Sequence, residues 1–275
     1  MLAKSKYRWH KLKRLVESQF LYGYHRCFNR VVQRQLKQVK RIPIIIISFN
    51  QLYYLKQLID FLRAKGYENI VIVDNNSTYA PLLEYLKLID GVVNIHRLQE
   101  NKGHLAFWKS PELLNLYGKG YYVVTDPDVV PIEECPDDFL STMLTLLNRA
   151  YDRTKVGMSL KLDDIPSTNP NKTSILQWER KYWLSKVHPK AYKAEVDTTF
   201  ALYRPGYHYK LKDFTKGWRT DYPIQGRHGG WYLDFDNLTE EQVYYMQTAN
   251  TSASWRIDET GNLVDKTHKP LYTHE

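Results

Sequence analysis

The sequence has very few cysteines and no long apolar run. Cys27 and Cys135 are its two cysteines, so it has neither a disulfide framework nor a Cys-x-x-Cys pair that would indicate zinc. A membrane-spanning helix needs about 18 consecutive apolar residues, whereas the densest run, residues 42–47, is short and contains Pro43. Lysines and arginines interrupt the first residues, which therefore lack the apolar core of a signal peptide. We expect a cytoplasmic protein.

Acidic residues are scarce in one part of the chain. Residues 1–41 contain twelve of the 39 lysines and arginines but a single acid, Glu17. The rest of the chain, residues 42–275, holds 27 basic and 29 acidic residues, although the whole protein has a formal net charge of +9. The excess charge therefore belongs to residues 1–41, which we call the basic arm.

The basic arm has a helical pattern of apolar residues. These recur at spacings of three and four: Leu12, Leu15, Val16, Phe20, Tyr24, Phe28, Val31 and Val32. A basic amphipathic helix can lie in the headgroup layer of an anionic membrane. For this protein, that membrane would be the inner face of the cell membrane. It can also pack its apolar side on the rest of the protein. Nucleic-acid contact is a third interpretation, and we do not expect it.

The remainder of the chain alternates between strand and helix patterns. Strands are predicted at residues 42–49, 70–73, 92–97, 121–125 and 157–162. Helices are predicted at residues 55–62, 82–88, 105–117 (interrupted at Pro111) and 139–150. This order predicts an α/β fold with a mostly parallel, doubly wound central sheet flanked by helices. Residues 206–230 have the composition of a long loop.

Polar residues follow three of the predicted strands. They are Ser48 and Asn50, then Asp74 and Asn75, then Asp126 and Asp128. Ligand sites in such sheets lie at the carboxyl ends of the strands. We therefore expect these residues to share one edge of the sheet.

Asp126-Pro127-Asp128 places two carboxylates close together after a buried strand. Their repulsion is costly unless a cation lies between them, and hard oxygen donors suit Mg²⁺ or Mn²⁺. Asp and Pro are also common turn formers, so the same residues could simply end the strand.

The order of these motifs resembles a known family. The motifs are Ser48-Phe49-Asn50, residues 71–77 (VIVDNNS), Asn101-Lys102-Gly103 and residues 125–128 (TDPD). Together they resemble the nucleotide-sugar-binding half of a GT-A glycosyltransferase and are most similar to glycosyltransferase family 2. The resemblance covers residues 42–131 well and 155–236 loosely. It implies a GT-A catalytic domain at residues 42–275, with a donor half at 42–131 and an acceptor half and C-terminal tail at 132–275.

The resemblance also implies roles for the donor-site residues. Ser48 and Asn50 would line the nucleoside pocket, and Asp74 would bond the base, uracil, with Asn75 beside it. Residues 74–77 are also a plausible turn in their own right, and residues 101–103 are close to an ordinary Asn/Gly turn. Asn101 and Lys102 would lie against the donor. Asp126 would face the ribose or the sugar, and Asp128 would bind the divalent metal.

Residues in the second half are expected to complete the site. His228, between glycines, resembles the late histidine that binds metal or diphosphate in several GT-A enzymes, and Arg227 could pair with phosphate. An inverting transfer needs a base for the acceptor hydroxyl. Asp197 precedes a strand predicted at residues 198–204 and is the favoured base. Asp221 and Asp234 remain as alternatives, because the family's usual Glu-Asp pair is not recognisable in this sequence.

The resulting hypothesis is a metal-assisted, inverting glycosyltransferase of the hexosyltransferase type. Its donor would be a UDP-sugar and its acceptor a saccharide or glycolipid, in bacterial surface polysaccharide synthesis. One alternative is a nucleotidyltransferase of sugar phosphates, although no glycine-rich loop follows the first strand. The other is a non-catalytic nucleotide- or nucleic-acid-binding protein that acts through the basic arm.

Overall fold

The structure is a computed structural model that describes residues 2–205 and 214–249, without the side chains of residues 2–8, 10, 11, 14 and 18. The α-helices are α1 (Leu2–Phe28), α2 (Arg30–Lys37), α3 (Tyr53–Ala64), α4 (Ala80–Leu88), α5 (Pro111–Tyr117), α6 (Phe139–Arg149), α7 (Lys172–Arg180) and α8 (Glu240–Thr248). Within these described ranges, no helix is both long and apolar enough to cross a membrane.

The strands form two sheets. They are β1 (Ile44–Ser48), β2 (Ile70–Asp74), β3 (Asn94–Arg97), β4 (Tyr122–Thr125), β5 (Val129–Pro131), β6 (Lys155–Gly157), β7 (Ser159–Leu160), β8 (Lys186–His188), β9 (Ala191–Glu195), β10 (Ala201–Tyr203), β11 (Lys216–Thr220) and β12 (Gln225–His228). The large sheet has the order β3-β2-β1-β4-β10-β6-β11-β9-β8, and the small one β5-β12-β7.

Most strands of the large sheet run in the same direction. β1 pairs in parallel with β2 and β4, and β2 with β3. The pairings across the rest of the sheet leave two strands, β9 and β10, running the opposite way. The predicted α/β fold, with a mostly parallel central sheet flanked by helices, is confirmed.

Two hydrophobic layers cover the faces of this sheet. Every residue of β1 is buried, and successive strand side chains point to opposite faces. Ile44 and Ile46 pack in the layer that contains the apolar sides of α3, α4 and α6. Ile45 and Ile47 pack in the opposite layer, with Phe107 and other aromatic residues. An uninterrupted β-branched run is the pattern expected for a strand covered on both faces.

Two local predictions need correction. The strand predicted at residues 157–162 is instead β6 and β7, which belong to different sheets. The loop predicted at residues 206–230 contains β11 and β12, and its residues 206–213 lie outside the described residues. Glycines suggested the loop, but a Cβ at Gly217 would lie 2.8 Å from a methyl of Val196. That glycine permits close packing and does not mark a turn.

The basic arm consists of α1, α2 and a short 3-10 helix (Val39–Arg41). Asn29 separates the two α-helices and caps α2, because its side-chain oxygen accepts from the amides of Val31 and Val32. α2 packs on the body through Val32 and Gln35, both buried. The Gln35 side chain donates to the carbonyl of Tyr121 and accepts from its amide, both at 2.8 Å. Of the interpretations of the basic arm, packing on the rest of the protein therefore applies to α2.

Gln35→Leu should destabilise the protein. The substitution leaves the buried amide and carbonyl of Tyr121 without partners, which costs about 1–3 kcal/mol in the free energy of unfolding. Urea unfolding followed by circular dichroism measures this loss. Lys37→Leu, at an exposed position of the same helix, is the matched control and should change stability by less than about 0.5 kcal/mol. Equal effects of the two substitutions would contradict the role of Gln35.

Candidate functional site

A cavity of about 1100 Å³ opens at the carboxyl ends of the parallel strands. Phe49, Asn75 and Asp126, which follow β1, β2 and β4, all contribute to its wall. The predicted site residues that line it are Asn75, Asn101, Asp126, Asp128, Asp197 and His228. Those that do not line it are Ser48, Asn50, Asp74, Lys102, Arg227 and Asp234. Half of the predicted set therefore meets in one place.

Asp126 lies where its negative charge is disfavoured. Burial raises the pKa of its carboxyl group well above the usual range, and the negative charges of Asp128 and Asp197 raise it further. A hydrogen bond of 2.5 Å from the Thr198 hydroxyl acts in the opposite direction, as does the positive charge of Lys155. A cation beside Asp126 would relieve this unfavourable field.

Asp128 and His228 come together through the small sheet. Antiparallel pairing places His228 opposite Val129, directly after Asp128. The Asp128 carboxylate lies 3.7 Å from His228 Nδ1, which is buried and has no hydrogen-bond partner among the described residues. Next to His228, the Gly229 amide donates to the Asp128 carbonyl at 2.7 Å. A Cβ at Gly229 would lie 2.4 Å from the Tyr54 ring, so only glycine fits at this position.

These donors suit a metal site that substrate oxygens complete. Among residues 2–205 and 214–249, no group of three His, Cys, Asp or Glu residues is arranged to hold a metal by itself. Mg²⁺ and Mn²⁺ are commonly bound through one or two carboxylates together with substrate phosphates. Asp128, with Asp126 beside it and the unpartnered nitrogen of His228, fits that pattern.

Asn75 and Asn101 form the next part of the wall. The Asn75 amide nitrogen donates to the Asn101 side-chain oxygen at 2.8 Å, and its oxygen accepts from the Lys102 amide at 2.8 Å. The Asn101 oxygen also accepts from the Gly103 amide at 2.9 Å. Both side chains therefore shape the loop at residues 101–103 while they line the cavity. Lys102 contributes its backbone amide to this loop through the bond to Asn75, and it does not line the cavity.

The residues at the ends of β1 and β2 lie beneath the cavity. The Asn50 oxygen accepts from the amides of Thr78 and Tyr79 at 2.7 and 3.0 Å, and its nitrogen donates to the Thr248 hydroxyl at 2.9 Å. The Asp74 carboxylate accepts from the Ser77 amide at 3.1 Å. Ser48, Asn50 and Asp74 are all buried. The side chains of Asn50 and Asp74 therefore hold loops together, whereas the buried Ser48 hydroxyl has no hydrogen-bond partner among the described residues.

The α8 helix explains why the end of β1 is covered. The helix begins with a capping box between Thr239 and Gln242. The Glu241 carboxylate accepts from the amides of Leu52 and Tyr53, at the start of α3, at 2.9 and 3.0 Å. The docking of α8 on α3 had no sequence signal, since Glu241 looks like any acid in a first helical turn.

The opposite wall contains a buried ion pair that sequence reasoning missed. Arg219 donates to the Glu179 carboxylate at 2.6 Å and to the Glu195 carbonyl at 2.7 Å. Its guanidinium lies 3.9 Å from the centre of the Tyr182 ring. Burial raises the pKa of Glu179, and the charge of Arg219 opposes that shift. The aromatic residues that line this part of the cavity include Trp178, Tyr182, Trp231 and Tyr232.

Asp197 lies on the same side of the cavity. Its side chain is exposed and has no hydrogen-bond partner among the described residues. Its main-chain carbonyl accepts from Lys155 Nζ at 2.7 Å, and this ammonium also donates to the Tyr203 hydroxyl at 3.0 Å. Lys155 is fully buried, and burial lowers its pKa to about 7, against the opposing charges of Asp197 and Asp126. No sequence pattern distinguished Lys155 from a surface lysine.

Two other predicted residues have local partners outside the cavity. Asp234 accepts from the Asp236 amide at 3.1 Å and from the Asn237 side chain at 2.9 Å, which makes it a turn former. Arg227 forms an ion pair of 2.6 Å with Asp164. The reason in both cases is that a nearby partner satisfies the side chain.

Comparisons with known proteins identify no family. No family model and no curated protein matches the chain. Similar solved structures include the Pyrobaculum calidifontis mannosyltransferase PcManGT in complex with GDP-Man and Mn²⁺ (14% identity, 70% of this chain, 55% of that chain, TM-score 0.37). They also include residues 1–349 of S. aureus TarS (13%, 67%, 59%, 0.40). A third is 4-diphosphocytidyl-2C-methyl-D-erythritolsynthase from Anaerococcus prevotii (8%, 76%, 96%, 0.38).

The chain spans little more than half of the first two of these proteins. All three TM-scores are below 0.5, so the likenesses carry no argument about activity.

Glu179→Leu should strongly destabilise the protein, because it leaves the buried Arg219 charge without its partner. A loss of about 3–5 kcal/mol in the free energy of unfolding is expected, and adding Arg219→Met should recover much of it. Chemical denaturation measures both. Asp60→Ala breaks the exposed Lys56–Asp60 pair, also 2.6 Å long, and should cost less than about 1 kcal/mol. An equally small loss for Glu179→Leu would refute the assignment.

Lys155 should make stability depend on pH. Because its pKa is about 7 in the folded state and 10.5 ordinarily, the unfolded chain binds an extra proton between these values. The free energy of unfolding should therefore rise with pH in this window. Thermal unfolding between pH 7.5 and 9.5 measures the slope. Lys155→Met should remove this rise, and Lys190→Met, at an exposed position, should keep it. Identical slopes for wild type and Lys155→Met would rule out this role.

Proposed function

We propose that the chain is a metal-assisted, inverting glycosyltransferase of the GT-A type that uses a UDP-sugar donor and a saccharide or glycolipid acceptor. The observation that carries the proposal is the convergence of Asp126, Asp128, Asp197 and His228 on one cavity. Acidic oxygens at the carboxyl edge of a mostly parallel sheet are suited to a cation-bridged diphosphate. The setting we propose is bacterial surface polysaccharide synthesis, on the cytoplasmic side of the membrane.

The donor end of the site is built around Asp128 and His228. These residues would hold a divalent cation, Mn²⁺ or Mg²⁺, which when bound supplies charge neutralisation for the departing diphosphate. Asp126 would contribute a second carboxylate, and ionising it would release the proton that its raised pKa favours. The loop of Asn75 and Asn101 would form the neighbouring wall of the donor pocket.

The acceptor end is built around Asp197. Its exposed carboxylate would take the proton from an acceptor hydroxyl as that oxygen attacks the anomeric carbon. The new bond forms on the face opposite the diphosphate, the bond from sugar to diphosphate breaks, and the configuration inverts. Lys155 holds the Asp197 carbonyl and so positions the base. The ring of Trp178, which lines the cavity, would pack against a sugar face.

The nucleotidyltransferase alternative is less consistent with the loop after β1. That loop has no glycine-rich phosphate cradle, and the amides of Leu52 and Tyr53 at the start of α3 already bind the Glu241 carboxylate. A carboxylate therefore occupies the helix end where a phosphate would otherwise bind. This observation favours transfer of a sugar over transfer of a nucleotide.

Asp128→Asn should abolish metal-linked donor binding. A ligand at 100 times its dissociation constant stabilises a protein by about 2.7 kcal/mol, which raises the melting temperature by roughly 5 °C or more at this size. Thermal shifts with UDP-, GDP- and CDP-sugars, with and without Mn²⁺, should show that rise for UDP-sugars plus Mn²⁺ in the wild type. Asp128→Asn should lose it without a lower melting temperature in buffer alone.

Two further variants separate binding from chemistry. Asp163→Asn, on the exposed surface, should respond like wild type. Asp197→Asn should keep the thermal shift with UDP-sugar and Mn²⁺, and it should slow release of UDP from the donor by about 10²–10⁴-fold. A wild-type protein that shows no shift with any nucleotide would refute the proposed function.

A further inference from the structure

The first feature that the proposed function leaves unexplained is an exposed apolar ridge on α1. Apolar side chains occur at every fourth position and are between 51% and 74% exposed: Leu12, Val16, Phe20, Tyr24 and Phe28. Trp9, 66% exposed, lies near the first of them. A helix of this length extends about 40 Å. A contiguous apolar surface of this kind indicates an interaction site.

The second feature is the charge of the same helix. Residues 2–28 contain seven lysines and arginines and one acid, Glu17. Just after α1, the Asn29 side chain donates to the Lys119 carbonyl at 2.7 Å, and α2 adds the Gln35 hydrogen bonds to Tyr121. An apolar ridge on a strongly basic helix has the composition of a helix that lies in a membrane interface.

The third feature is a cleft of about 830 Å³ beside α2, which we call the basic cleft. Its exposed basic residues are Arg34, Lys40, Arg41 and Lys119, and its acid is Glu68. Among the described residues, none of Arg34, Arg41 and Lys119 forms an ion pair. The cleft lies where β1, β2 and β4 begin, since Pro43, Asn69 and Lys119 line it. It is therefore at the opposite edge of the sheet from the candidate site.

The apolar ridge and the basic cleft are adjacent along the chain. Val31, three residues after Phe28 and 39% exposed, lines the cleft, and so does the exposed Leu116. The cleft thus combines basic side chains that form no ion pair with exposed apolar groups. The α1 helix likewise combines basic residues with exposed apolar side chains.

We propose that the ridge of α1 and the basic cleft form one docking surface for an anionic phospholipid bilayer. The ridge would insert its apolar side chains at the boundary between headgroups and acyl chains. Arg34, Arg41 and Lys119 would contact the lipid phosphates. This inference does not depend on the proposed function, because none of these residues lines the candidate site.

A bilayer fits both features better than other partners do. A nucleic acid would pair with the cations but has no use for five exposed apolar side chains at helical spacing. A second copy of the chain would bring another arm with twelve basic residues and one acid against the first, and the two would repel each other.

Co-sedimentation of the full chain with vesicles tests the proposal. The vesicles contain phosphatidylcholine alone or with 30% phosphatidylglycerol, at 100 mM salt. The wild type should bind the anionic vesicles at least tenfold more tightly than the neutral ones. Substituting Arg34, Arg41 and Lys119 by Gln should weaken binding by roughly fivefold for each cation removed. Val16→Ser with Phe20→Ser and Phe28→Ser should weaken it at least tenfold.

The matched control removes three exposed cations elsewhere. Replacing Arg63, Lys87 and Arg149 by Gln changes the net charge equally and should leave binding close to wild type. Near-ultraviolet circular dichroism should show unchanged folding in every variant. The proposal is overturned if the wild type does not distinguish the two vesicles, if the control loses as much binding as the cleft variant, or if duplex DNA or RNA displaces the protein from vesicles at equal phosphate concentration.

Discussion

The candidate site depends on carboxylates that are held close together where water is scarce. Asp126 and Asp128 follow β4, a central strand whose four residues are buried, so the core anchors the backbone that carries them. The pairing of β12 with β5 brings His228 to the same point. The Thr198 hydroxyl and the Lys155 ammonium offset part of the resulting repulsion. The fold thus keeps acidic groups together where their negative charges are mutually unfavourable, and this favours the binding of a cation.

Most of the large sheet could be predicted from sequence, because β1, β2 and β4 are uninterrupted buried runs bounded by polar residues. The region of β11 and β12 could not. Its glycines resemble those of a loop, but a Cβ at Gly217 or Gly226 would lie 2.8–3.0 Å from a methyl of Val196 or Val129, so both glycines lie in close packing. The division of residues 155–160 between two sheets could not be predicted from the hydrophobic pattern either. It depends on which distant strands pair with β6 and β7.

The site was predictable where strand ends determine it and unpredictable where distant segments meet. Asp128 and Asp197 line the cavity as expected from their positions beside strands. Asn50 does not, because it contacts Thr248, 198 residues away. Short-range spacing holds no information about such a contact. Lys155 and Arg219 were missed for a related reason: each is an ordinary charged residue of a strand until its buried partners are known.

The large sheet separates the basic cleft from the cavity, and this separation bears on the acceptor. Strands of five residues, such as β1 and β2, span about 16 Å between the two edges. A protein docked on lipid where the strands begin would carry the opening of the cavity on the side away from the bilayer. A glycan anchored in that bilayer would have to curve around the body to present its growing end. Minimum acceptor length would then be set by reach, independently of how the terminal sugar is recognised.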